Sequence, residues 1–204
     1  GTVIANELHK RGQFEISIVS LWEDKKKTFF HLEHGIKRDT LFSEHVSGKK
    51  ILTYVKAVKK YVENNKIDVL VDIDGILDLY SIPALKKNKC KLVSWEQFNY
   101  YVNPYVNYRK LTRKMAAKKA DAIVVLTDED KHFYEKETEV KTKLVRIHNP
   151  MPSNVNTTSY NMDSKTIISV GRYTEQKGFD ILIDVANQVF SKHSDWKWIV
   201  IGDG

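Results

Sequence analysis

A single cysteine, Cys90, serves the whole chain, so no internal disulfide forms, as fits a protein kept in a reducing compartment. Cys90 stands in an apolar run and reads as core. No apolar run is long enough to cross a bilayer, and the first residues lack the basic-then-apolar pattern of a secretory leader. A cytoplasmic location is the expectation. There is no internal repeat and no low-complexity tract. The seven histidines, His31, His34 and His45 among them, are not spaced with cysteines or paired carboxylates as metal ligands, so no bound metal is expected.

What is present is a globular balance, 42% hydrophobic and 29% charged over 204 residues, which excludes disorder as the main state. The length suits one α/β domain and part of another. A formal net charge of +7 and a pI near 9.2 call for an anionic partner. Charge alone does not choose among nucleotide, nucleic acid and anionic membrane.

Periodicity switches repeatedly between helix and strand. Val3 to Lys10 reads as a helix stopped at Gly12, and Phe14 to Leu21 as a strand. Ile51, Tyr54, Val55, Val58, Tyr61 and Val62 recur at helical spacing. The β-branched run Ile67 to Asp74 then suits a parallel strand buried on both faces. A short helix near Ile82 to Lys87, a strand Lys91 to Trp95, a basic helix from Pro104 to Lys119 and a strand Asp121 to Thr127 follow. Helix Asp128 to Glu137 and strand Lys143 to Ile147 complete the series. Such alternation predicts a doubly wound parallel sheet, Rossmann-like, over residues 1–150. An Asn/Ser/Thr/Pro-rich stretch, 151–164, reads as a linker, and 165–204 as the beginning of a second Rossmann-like domain.

The chemistry concentrates in SVGRYTEQKGFD, Ser169 to Asp180. Gly171 falls at a strand's carboxyl end, Arg172 and Lys177 in the loop after it, and Gly178 where the next helix opens, which is the ligand edge of a doubly wound sheet. Glycine permits close backbone approach, Arg172 forks onto two phosphate oxygens, and Lys177 adds a mobile cation. The helix opening supplies amide donors, opposed in part by Asp180. The set suits a diphosphate. An ordinary βα loop with solvated basic residues is the bland alternative for an isolated Arg and Lys.

The segment VGRYTEQKGFDILIDVA with WKWIVIGDG resembles the start of the second domain of retaining glycosyltransferases of the GT-B fold, closest to the large family 4. VSWEQFNYY, KKADAIVVLTDEDKHFY and VRIHNPMP are similar to segments of that family's first, acceptor-side domain. The resemblance is specific from Lys118 to Gly204 and weak from Glu23 to Lys66. It implies that Arg172 and Lys177 hold the phosphates of a nucleotide-sugar, a UDP-sugar above all, and that a hexose passes with retention to a glycan or lipid-linked acceptor. Synthesis of cell-surface polysaccharide or glycoconjugate is the implied setting, without cofactor or metal. The family's glycine-rich loop falls before or at Gly1, and its donor-holding glutamates would fall beyond Gly204. Little or no turnover is therefore expected of this polypeptide alone.

Weaker candidates flank this motif. Glu96 and Gln97 follow a strand end where many relatives carry a histidine, which makes Glu96 the catalytic candidate and Gln97 a donor or acceptor contact; a cap or a salt bridge serves Glu96 equally well. Gly1 and Gly202 are candidate contacts to the donor or the cleft, and GDG at Gly202 reads equally as a turn. Asp74 and Gly75 read as a turn. Trp95, Phe98, Tyr100 and Tyr101 suit core packing or stacking on a sugar or base. In the helix from Tyr105 to Lys119, the stripe Arg109, Lys110, Arg113, Lys114 and Lys118 fits anionic lipid headgroups on the inner membrane face, or simply solvent. Two other classes stay open: a non-catalytic nucleotide-binding or regulatory module, and a basic nucleic-acid-binding protein, for which no recognised module is visible.

Overall fold

The computed structural model describes residues 1–23, 30–47, 50–102, 107–151, 159, 161 and 163–204. The chain forms two compact units, Gly1–Ser153 and Asn154–Gly204. Pro104, Tyr105 and most of the 151–164 stretch read as a linker lie outside the described residues.

The first unit opens with α1 (Thr2–Lys10), closed by Gly12 at φ 66°, a left-handed position that suits glycine. Next come β1 (Ser17–Ser20) and β2 (Lys37–Thr40), paired in parallel from Ser17↔Lys37 to Ser20↔Thr40. Then follow α2 (Ile51–Asn64), β3 (Val69–Ile73), α3 (Asp78–Ala84), β4 (Lys91–Trp95), α4 (Asn107–Lys119), β5 (Ala122–Val125), α5 (Asp128–Glu137) and β6 (Lys143–Arg146). Strands β3 to β6 form one parallel sheet in sequence order, each joined to the next by a helix. Every carboxyl end of that sheet therefore lies on one edge, at Asp74, Glu96, Leu126 and Ile147.

Apolar burial holds the sheet to its helices. Ile123 and Val125 of β5 pack with Ala116 and Ala117 of α4, Leu92 of β4 and Tyr134 of α5 in one core cluster. Ala116 and Ala117 are fully buried in that cluster. A second cluster joins Val58 and Val62 of α2 to Ala84 and Cys90, which confirms Cys90 as core. Each large side chain buried here contributes about 1.5–3 kcal/mol.

Several expectations need correction. Strand β2, KRDT, has no apolar alternation to announce it and forms through its ladder with β1. The strand read as Phe14 to Leu21 shortens to Ser17–Ser20, and Phe14 is exposed. The helix placed at Ile82 to Lys87 begins earlier, at Asp78, after a 3₁₀ turn over Gly75–Leu77. Strand β3 is not buried on both faces: Val69, Val71 and Ile73 are 52%, 42% and 43% exposed, whereas Asp72 is buried. Val69, Val71 and Ile73 alternate onto one face of the strand, and that face is left uncovered among the described residues, where β3 pairs with β4 alone.

The second unit holds β7 (Thr166–Val170), a 3₁₀ turn over Glu175–Lys177, α6 (Phe179–Lys192) and β8 (Lys197–Ile201). Strands β7 and β8 pair in parallel from Thr166↔Lys197 to Val170↔Ile201. Phe179, Leu182, Ala186 and Val189 recur along one face of α6 and are its half-buried apolar positions.

Candidate functional site

Two groups of charged residues occupy carboxyl edges of parallel strands, one in each unit. In the first unit, the chain leaving β3 turns at Asp74 with φ 93°, a conformation that strains any residue but glycine. The Asp74 carboxylate receives both arms of the Arg109 guanidinium, Nη1 to Oδ1 at 2.8 Å and Nη2 to Oδ2 at 3.0 Å. That pair holds the Arg109 charge firmly, the Asp74 hydrogen bond outweighing the cost of burial. Arg109 also lies over the Phe98 ring, 4.5 Å from its centroid.

Glu96, which follows β4, is 2% exposed. Its Oε2 accepts from Arg113 Nε at 2.9 Å and from the Tyr134 hydroxyl at 3.4 Å, while Oε1 stands 3.5 Å from Arg109 Nη1. Arg113 is 4% exposed and also donates to the carbonyl oxygens of Tyr100 and Asn99. A carboxylate enclosed by two guanidinium groups serves as a structural anchor. Its geometry is that of the salt bridge weighed as the alternative for Glu96. Gly75 sits beneath it, where a Cβ would come within 3.2 Å of Glu96 Oε2.

Below this network lies an acid pair that the sequence did not disclose. Asp72 of β3 and Asp78 of α3 are both buried. The Ser81 hydroxyl donates to Asp72 Oδ1 at 2.9 Å, and the Ser94 hydroxyl donates to Asp78 Oδ2 at 2.6 Å. Their other oxygens have no partner besides each other's carboxyl group among the described residues. Burial lifts Asp72 to about 6, opposed by its hydrogen bonds from Ser81 and Asp78. Burial, and then the charge of Asp72, lifts Asp78 to about 9. The two carboxyls thus retain one proton at neutral pH.

The basic stripe of α4 divides by residue type. Arg109 and Arg113, four apart, turn inward to the acids, whereas Lys110, Lys114, Lys118 and Lys119 stay exposed with Tyr108 and Leu111. The stripe read as one surface is therefore two faces. Trp95 and Tyr100 are core, while Phe98 and Tyr101 are exposed. Gln97 is half-buried, and its Oε1 accepts from Asn149 Nδ2 at 3.3 Å. Gly1 lies at the end of β3, where a Cβ would meet Ile73 Cδ1 at 3.2 Å.

In the second unit, Arg172 and Lys177 are exposed, and no carboxylate among the described residues pairs with either. Gly171 immediately follows β7, and Lys177 closes the 3₁₀ turn before Gly178, whose φ of 63° starts α6. The first amides of α6 lack intrahelical acceptors and add donors beside the two cations. Asp180 stands in that first turn and opposes them in part. Gly171, Arg172 and Lys177 thus share one βα loop, and Gly202 leaves β8 beside it. Among the described residues no group of three or more His, Cys, Asp or Glu is arranged to hold a metal ion. No helix among them is long and apolar enough to cross a membrane.

No family model matches the chain. It is 28% identical over 202 residues to an uncharacterised glycosyltransferase of Haemophilus influenzae, covering 98% of this chain and 56% of that protein. It is 30% identical over 179 residues to another of Methanocaldococcus jannaschii, covering 76% and 44% respectively. The chain thus spans about half the length of the curated relatives it matches. Among solved structures, TarM aligns with a TM-score of 0.62 at 18% identity, over 74% of this chain and 31% of that one. The lipopolysaccharide outer core galactosyltransferase WaaB aligns at 0.59 and 18% identity, over 84% and 47%. HepE of Anabaena, in complex with UDP and glucose, aligns at 0.63 and 15% identity, over 84% and 49%. These likenesses establish the fold as that of GT-B glycosyltransferases, α/β with parallel sheets.

Proposed function

We propose that this chain carries the donor-diphosphate loop of a glycosyltransferase that moves a hexose from a nucleotide diphosphate sugar to a glycan or lipid-linked acceptor. The observation that carries the reading is the pair of exposed cations, Arg172 and Lys177, which no carboxylate among the described residues pairs, on one loop at the carboxyl edge of β7. When the bond between the anomeric carbon and the phosphate oxygen breaks, negative charge grows on the departing diphosphate. Arg172, Lys177 and the opening amides of α6 meet that charge as it develops, and such donors stabilise the transition state most. In this reading side-chain cations and amides balance the diphosphate, and no metal or other cofactor takes part.

A UDP-sugar is the donor we favour, supported by the fold shared with a structure that holds UDP and glucose. Retention of anomeric configuration, membership of family 4 and a place in cell-surface polysaccharide or glycoconjugate synthesis follow from the sequence resemblance. Work at the inner face of the membrane is supported by α4. Its outward lysines, Lys110, Lys114, Lys118 and Lys119, surround the half-exposed Tyr108 and Leu111, an arrangement that attracts anionic headgroups and offers apolar contact. No nucleic acid partner is proposed.

The test is a donor screen on the whole protein, with nucleotide-sugars, nucleoside diphosphates and oligonucleotides scored by thermal shift and by release of nucleoside diphosphate. Stabilisation by a nucleotide-sugar together with turnover supports the transferase. Stabilisation by nucleotides without turnover on any acceptor indicates a regulatory binding module. Stabilisation by oligonucleotide alone overturns the proposal.

A further inference from the structure

The glycines that follow β8 meet a requirement of space that a turn or a ligand contact alone does not impose. Gly202 and Gly204 lie outside the left-handed region of backbone conformation, which among the described glycines only Gly12, Gly35 and Gly178 occupy. Their need for glycine is therefore one of space. A Cβ on Gly202 would overlap the carbonyl oxygen of Gly171 and stand 2.9 Å from its carbonyl carbon. A Cβ on Gly204 would stand 2.7 Å from the Tyr173 carbonyl oxygen and 3.0 Å from its nitrogen. All these neighbours are main chain, which cannot swing aside.

The approach is close because the ladder does not end with the strands. The Gly171 amide donates to the Ile201 carbonyl at 3.0 Å, and the Tyr173 amide donates to the Asp203 carbonyl at 2.9 Å. Phe179 fixes the same loop from the helix side. Its ring meets Tyr173 edge-on at 4.9 Å and lies where a Cβ on Gly171 would come within 3.3 Å of it. Arg172 thus sits between two anchored residues, its carbonyl bonded to the Thr174 amide at 2.9 Å, while its side chain is exposed. A fixed backbone carrying an unfilled side chain is preorganised for a ligand.

We infer that Gly202, supported by Gly204, is a positioning residue that locks the Arg172 loop to the end of β8 and so aims the guanidinium at a diphosphate. The ligand half of this inference rests on the proposed function. The clamp itself does not. Glycine at 202 exists to admit the Gly171 carbonyl, so the segment acts through Arg172 without touching the ligand.

The experiment uses this chain labelled with ¹⁵N and two readouts: amide hydrogen exchange, and titration with inorganic pyrophosphate followed at the Arg172 and Lys177 amides. In Gly202→Ala the Tyr173 and Gly171 amides should exchange at least about tenfold faster, with the Ser169 amide, on the same side of β7 as Gly171, still protected and pyrophosphate binding weakened about tenfold or more. Gly204→Ala, which crowds rather than overlaps, should shift both readouts in the same direction and covers the case in which Gly202→Ala does not fold. Asp203→Ala should leave both within about twofold, because only its main-chain carbonyl takes part. Wild-type binding that Gly202→Ala and Gly204→Ala leave unchanged overturns the positioning role alone. Absence of pyrophosphate binding by the wild type, with the exchange pattern as expected, overturns the diphosphate reading and leaves a clamp with nothing to aim. Unchanged exchange at Tyr173 in both glycine variants overturns the clamp.

Discussion

Arg113, which reaches from α4 to Glu96 at the carboxyl end of β4, and Arg172, which follows β7, stand in opposite circumstances. Arg113 is 4% exposed and bonded to Glu96 and two carbonyls, whereas Arg172 is exposed on an anchored backbone and faces no carboxylate among the described residues. A buried, fully paired cation stabilises a fold and has nothing left for a ligand. An exposed, unpaired cation does little for stability and is free to bind an anion. Surroundings, and not residue type, separate the two roles.

The comparison breaks most readily at Glu96. Glu96→Ala leaves Arg113 buried without its carboxylate and should lower stability by about 3–5 kcal/mol, measured by chemical denaturation. Glu96→Gln should recover part of that loss through its amide oxygen. A loss below about 0.5 kcal/mol for Glu96→Ala would show that the network is solvated after all.

Next in size is the effect at the loop. Arg172→Ala or Lys177→Ala in the whole protein should cut turnover by about two to three powers of ten, with stability changed by less than about 0.5 kcal/mol. The two variant classes should thus separate cleanly, Glu96 on stability and Arg172 on turnover. Equal effects of both on stability would erase the distinction.

The acid pair gives a prediction in pH. Asp72 and Asp78 are both raised above the ordinary carboxylate value, to about 6 and about 9. The native state therefore holds protons that the unfolded chain has released, and the pair's contribution to stability should fall as pH rises from about 4 to about 9. Asp78→Asn keeps an acceptor for Ser94 and replaces the shared proton with a permanent N–H toward Asp72. It should flatten that fall, with a gain on the order of 1–3 kcal/mol at pH 8–9 in denaturation curves. A wild-type stability that rises over this range would show the pair to be ionised and otherwise compensated.

The smallest effect belongs to the outward lysines. Lys110→Glu with Lys114→Glu should change folding stability by less than about 0.5 kcal/mol but weaken binding to anionic vesicles by roughly 1 kcal/mol per lysine removed, read by co-sedimentation. Equal binding to neutral and anionic vesicles would remove α4 from the account.

Much of this was legible in the sequence because strong periodicity and burial coincide. The apolar run at β5 and the spacing of Tyr54, Val58 and Val62 in α2 fold as their pattern directs. Strand β2 was not legible, since Lys37–Thr40 carries no alternation and is specified by its ladder with β1. The exposure of Val69, Val71 and Ile73 was not either, because a β-branched run encodes a strand but not which of its faces is covered. Around the site, Gly171, Arg172 and Lys177 could be placed by their order after a strand. The Arg109 pairing with Asp74 joins positions 35 residues apart and needed the fold to appear. One signal was available: arginines at 109 and 113 among lysines, on a single helix face, are the residue type that buried ion pairs favour.

The central claim is that the Arg172 loop receives a diphosphate, and calorimetric titration of UDP and of inorganic pyrophosphate into this chain tests it most directly. The account predicts saturable binding of both that Arg172→Ala with Lys177→Ala abolishes, while the thermal midpoint stays unchanged. Binding that survives the double substitution, or no binding by the wild type, would contradict it.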